Sequence, residues 1–174
     1  MLGTGSAFSQ AKKPIHSLND VPVFKAALGK WKGVGVGFDI VEDRAKEGVT
    51  HRDEWEAKFR RNAHVLEMTG LVTRQGGVEL PYSWVFRFNG NRDKITASYE
   101  MATGQEGTLE VLLIADGRRV QIRRPKGAKT GIDMEMDIYF DKDDLVIDSL
   151  IRNVRGEEVY KSSTRYTKNG DAPE

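Results

Sequence analysis

Residue types that carry covalent chemistry are sparse in this chain. Cysteine is absent, and the three histidines, His16, His51 and His64, are scattered without the order of a catalytic triad or the nucleophile turn of a hydrolase. Acids are more numerous. Asp133, Glu135 and Asp137, however, alternate with Ile132, Met134, Met136 and Ile138, which makes them the solvated face of a strand. Asp143-Asp144 falls in a turn and lacks the spacing of oxygen ligands in a calcium loop. Arg118-Arg119 and Arg123-Arg124 flank a short strand, as a phosphate or polyanion site or, more simply, as a solvated edge. On this reading the chain is not an enzyme, and no cofactor or metal is expected.

The chemistry that remains is recognition without bond making. In Leu80-Pro81-Tyr82-Ser83-Trp84-Val85-Phe86-Arg87-Phe88 every even position is large and apolar, the period-2 pattern of a strand with one buried face. Tyr82, Trp84, Phe86, Phe88, Tyr99, Met101, Met134 and Met136 all lie on such apolar faces, and methionine adapts to irregular ligands. Tyr82, Trp84, Phe86, Tyr99, Met134 and Met136 are therefore the candidate ligand contacts. In a collapsed barrel the same residues would simply be core.

The pattern predicts ten strands to carry these faces, near Lys30–Val41, Val49–Arg60, His64–Arg74, Val78–Asn89, Lys94–Thr103, Gly107–Ile114, Arg119–Arg124, Gly131–Phe140, Leu145–Asn153 and Glu157–Lys168. Short Gly, Asn and Asp turns such as Gly76-Gly77, Asn89-Gly90 and Asp116-Gly117 join them, so neighbours are antiparallel. Ten strands in an open sheet would leave two exposed edges, and closure into an up-and-down β-barrel removes both. Arg52–Arg61 also suits an amphipathic helix with Trp55 and Phe59 on one face. The strand is preferred because Trp55, Ala57 and Phe59 alternate with charges. Ahead of the barrel, Asn19-Asp20 can cap a short helix at about Val21–Leu28. Pro22 would sit in its first turn, Val23, Ala26 and Ala27 on its apolar face, and Gly29 at its stop. Such a helix plugs or covers a barrel end.

With 174 residues, the chain reads as one domain at 19–168 between a leader or signal-peptide remnant at 1–18 and a frayed polar tail at 169–174. Ala7 and Ser9 are spaced like the positions before a signal-peptidase cut, so a secreted or periplasmic location is expected, with a plain flexible start the alternative. Twenty-seven basic and 26 acidic residues nearly cancel, and their interleaving argues against a nucleic-acid surface. No run approaches the ~18 apolar residues of a membrane-spanning helix.

The first strand carries a row of glycines. Trp31, Gly33, Gly35, Gly37 and Asp39 share one face, and Val34, Val36, Phe38 and Ile40 the other. Glycine at every second position serves strand coiling and barrel closure, or leaves space inside a cavity.

A helix running into Gly29-x-Trp31-x-Gly33, followed by about ten meandering strands, resembles the calycin group. That group includes lipocalins, fatty-acid-binding proteins and bacterial lipocalin-like domains of unknown function. The resemblance implies that Trp31 closes one barrel end. Nitrobindin-like haem proteins share the Gly-x-Trp-x-Gly-x-Gly run but ligate iron through a late histidine, and no histidine follows His64. Fatty-acid-binding proteins hold a carboxylate with Arg-x-Tyr on the last strand, which Ser163-Thr164-Arg165-Tyr166 resembles. Here Arg165 and Tyr166 are adjacent and point to opposite faces, so only one can face inward. Arg165, with Lys161 on its face, is the candidate for an anionic headgroup, and the opposite orientation, with Tyr166 inward, stays open. The expected function is binding or carriage of a small apolar or amphipathic molecule. The alternative is a structural or protein-interaction barrel with a filled core.

Overall fold

Alternation along the chain closes into a single ten-stranded antiparallel barrel in the computed structural model, which describes residues 14–39, 48–128 and 133–168. The strands are β1 (Gly29–Asp39), β2 (Val49–Arg60), β3 (Val65–Arg74), β4 (Glu79–Asn89), β5 (Lys94–Met101), β6 (Glu106–Ile114), β7 (Arg119–Arg123), β8 (Asp133–Asp141), β9 (Asp144–Arg152) and β10 (Glu158–Lys168). Each pairs with its neighbours in sequence, and β10 pairs with β1 to complete the ring. Arg52–Arg60 is strand: Trp55 and Ala57 are buried while Glu54 and Lys58 are exposed, so charge alternation outweighed the helical i, i+4 pair. The expected signal-like segment, the polar tail and the outer ends of two strands, at Val41 and Gly131, lie outside the described residues.

One end of the barrel is stoppered. A 3-10 turn at Leu18–Asp20 leads into α1 (Pro22–Ala26), shorter than the expected 21–28 segment. The cap also differs. Val21 precedes the helix, while Asp20 accepts the backbone N–H groups of His16 and Ser17 and so braces the 3-10 turn. Ala26 is exposed, and Phe24 joins Val23 and Ala27 on the buried face. A segment this short lies across the barrel end and buries neighbouring side chains. Leu18, assigned to the leader by sequence, is fully buried, and its N–H donates to the Ala63 carbonyl at 2.8 Å. The Val23 N–H donates to Gly117 at 3.1 Å, so two separate turns pin the stopper. Gly29 ends it at φ +99°, a left-handed conformation costly to any residue with a Cβ.

Trp31 seals the same end, as the resemblance implied. Its indole N–H donates to the Ala27 carbonyl at 2.9 Å, and its ring stacks on Trp55 and meets the edge of Phe140. Above the stopper the core runs through Phe24, Phe86, Trp84 and Tyr99 in successive ring contacts. Outside, Asp137 and Glu135 do face away from the core, but they are more than solvated acids. Arg119 pairs with Asp137 at 2.8 Å, Arg152 with Glu135 at 3.3 Å and Arg123 with Glu110 at 2.7 Å, a cross-strand ladder that engages two of the four candidate polyanion arginines.

Candidate functional site

Barrel register turns the glycine row into a site. Gly33 of β1 stands opposite Tyr166 of β10 on one side and Asp53 of β2 on the other. Two strand spacings separate β10 from β2, about 10 Å, and a tyrosine ring laid flat can reach a carboxylate across that gap only if the strand between shows no side chain. A Cβ at Gly33 would collide with the Tyr166 ring. With glycine there, the Tyr166 hydroxyl donates to Asp53 Oδ2 at 2.6 Å. The device repeats one step along: Gly35 separates Thr164 from His51, whose Nε2 lies 2.8 Å from the Thr164 hydroxyl. On the opposite flank Gly70 of β3 sits under the ring of Tyr82 of β4, whose hydroxyl reaches Asp53 at 2.9 and 3.0 Å.

Asp53 is thus a buried carboxylate held by two phenols. Burial pushes it above the ordinary carboxylate value, opposed by the Tyr166 and Tyr82 hydrogen bonds and assisted by Glu54. Burial, then the Asp53 charge, pushes both tyrosines well above theirs, so each remains a protonated donor. Both phenolic hydrogens point at Asp53, which leaves carboxylate and phenol oxygens as acceptors. His51 is held low by burial and by Arg74, so its ring is neutral near pH 7.

These groups form one wall of a cavity of about 260 Å³ at the barrel end away from the stopper. The facing wall is mainly apolar, built from Met68, Trp84, Met101, Met134, Met136 and Ile147, and Ser149, Tyr160 and Ser162 add hydroxyls to the lining. Arg74, Thr103 and Gln105 stand at its exposed rim. An interior with one greasy wall and one buried acceptor cluster suits a small molecule with a polar end.

No family model and no curated protein matches the chain. Among solved structures it is similar to Rv2717c from M. tuberculosis, at 13% identity and a TM-score of 0.58, over 85% of this chain and 98% of that one. It is also similar to a redesigned β-barrel, mFAP1, bound to DFHBI, at 14% identity and a TM-score of 0.46, over 84% of this chain and 98% of that one. A second redesigned barrel, mFAP0 bound to DFHBI, stands at 12% identity and 0.45, over 82% and 99%. At such identities the likeness to Rv2717c concerns the fold alone.

Of the residues singled out from sequence, the cavity gathers Tyr82, Trp84, Met134 and Met136. Phe86 is buried toward the stoppered half on Phe24, and Tyr99 is buried beside Trp84 with its ring covering Gly107, outside the cavity lining. Arg165 is not in the cavity. It points outward and pairs with Asp141 at 2.7 Å and Asp144 at 3.0 Å, because two exposed acids satisfy a guanidinium that an apolar wall could not. Tyr166 takes the inward place. Asp53, His51, Thr164 and Tyr166 were not among the candidates, and their signal was Gly33 and Gly35 read across three strands.

Proposed function

We propose that this barrel binds or carries a small amphipathic molecule in the open-end cavity, in the manner of the lipocalin-like proteins it resembles. The observation that carries the reading is an apolar wall of methionine and Trp84 facing a buried, hydrogen-bonded Asp53 across an open volume of about 260 Å³. A purely structural barrel gains nothing from a buried carboxylate beside open space, since each such group costs several kcal/mol to desolvate. The proposal assigns no catalytic step. The phenolic protons are engaged by Asp53, and His51 is neutral.

Titration with neutral 1-naphthalenemethanol tests it. Binding should saturate at one molecule per chain and change Trp84 emission, and Met136→Trp, which fills the apolar wall, should weaken it about tenfold or more. Absence of saturable binding of any small amphipathic probe would leave the barrel as an interaction module.

A further inference from the structure

The cluster of Asp53, Tyr82 and Tyr166 has a definite hydrogen-bonding sign. Among the described residues Asp53 is the buried charged residue, and it forms no ion pair, whereas Asp137, Asp141, Asp144, Glu110 and Glu135 each meet an arginine. Its partners are two neutral phenols. A carboxylate offers about four acceptor positions. Tyr82 spans both oxygens and Tyr166 takes Oδ2, so acceptor capacity remains on a carboxylate that lines the cavity. Nothing in this cluster can give a ligand a proton from Tyr82 or Tyr166 without breaking a bond to Asp53.

We propose, building on the binding reading above, that the ligand is an amine whose ammonium group docks on Asp53 while its hydrocarbon part lies against Trp84, Met134 and Met136. An ammonium supplies the counter-charge that Asp53 lacks, and the low-dielectric surroundings strengthen that contact. A carboxylate ligand would meet like charge at Asp53 and would have to turn to Arg74 or to the Ser149, Tyr160 and Ser162 hydroxyls for donors. The charged and titratable groups around the site are consistent with this. Glu54 adds negative potential, His51 is neutral, and Arg74 stands at the rim, where it acts on His51 and does not pair with Asp53. The choice reverses the anionic headgroup that Arg165 suggested.

Three probes of one shape decide it: 1-naphthylmethylammonium, 1-naphthalenemethanol and 1-naphthoate, titrated calorimetrically into the intact protein at pH 7. The ammonium should bind about tenfold or more tightly than the alcohol, as a charged hydrogen bond in place of a neutral one requires, and the carboxylate weakest. In Asp53→Asn the preference for the ammonium should vanish while alcohol affinity changes by less than about threefold. Should that variant not fold, the ranking in the native protein carries the test alone. Equal or tighter binding of the carboxylate, or an ammonium no better than the alcohol, overturns the amine assignment and leaves the binding reading standing. Failure of all three probes to saturate overturns both.

Discussion

The two ends of the barrel are built from the same alternating strands and come to opposite results. At the stoppered end the inward positions carry mostly rings and branched side chains, with Ala57 and Ala97 among them, and Leu18, Val21, Val23 and Phe24 fill what the strands leave. At the open end Gly33, Gly35, Gly37 and Gly70 remove inward side chains, and polar groups from alternate strands bond across the gaps. Large residues on successive strands produce packing. Omitting them on one strand in three produces a polar site and open volume.

Variants that affect one end and spare the other sharpen this contrast. Trp31→Ala removes the ring between Trp55 and Phe140 and should cost about 3–5 kcal/mol in urea unfolding, with the alcohol probe still bound by the folded fraction. A cost below about 1 kcal/mol would mean that the stoppered end does not depend on its seal. Gly33→Ala is expected to cost less, about 1–3 kcal/mol, because one methyl drives the Tyr166 ring away. It should, however, leave the ammonium preferred, because the Asp53 charge is retained, and a preference lost with Asp53 intact would show that the Tyr166 hydrogen bond sets the selectivity.

Asp53 also gives the open end a pH signature. Its folded value lies above its unfolded one, so between the ordinary carboxylate value of 3.8 and that higher value the folded state binds more protons. Stability from this group is full below 3.8 and is lost as pH rises through the folded value. His51, held low, contributes oppositely: its share is present above 6.5 and lost as pH falls through its folded value. Subtracting the profile of Asp53→Asn from that of the native protein isolates the carboxylate and should show native stability gaining on acidification. A flat difference would mean that Asp53 is well solvated. The smallest effect is expected at Arg165→Gln, on the outer surface, which should leave all three probe affinities unchanged by calorimetry. A selective loss of carboxylate binding would return the headgroup to Arg165.

Much of the barrel was legible because its signals are local. Period-2 faces place β2 at Val49–Arg60 as expected, and Gly, Asn and Asp turns delimit the rest to within one or two residues wherever the boundary falls among the described residues. The stopper was less so. Its 3-10 turn is held by a bond to Ala63 and its five-residue helix by one to Gly117, and a chain-local reading assigns Leu18 to a leader and the cap to Asn19-Asp20. Aromatic and methionine rows indicated the apolar wall, since each sits within one strand. The polar wall escaped because its meaning depends on register. Nothing near Asp53 in sequence shows that Gly33 separates it from Tyr166, and a resemblance drawn at Arg165-Tyr166 led to the wrong neighbour.

That register has a temporal consequence. Asp53 and Tyr166, like His51 and Thr164, are 113 residues apart, and both bonds straddle β1, the strand on which the last strand closes. Loop closure on that scale is slow to be repaid during folding, so the proposed binding site forms only when the meander becomes a ring. A ligand held there has no counterpart to grip in the open chain, and its whole binding free energy weighs on the closed side of the equilibrium. The cargo would act as the latch of its own container.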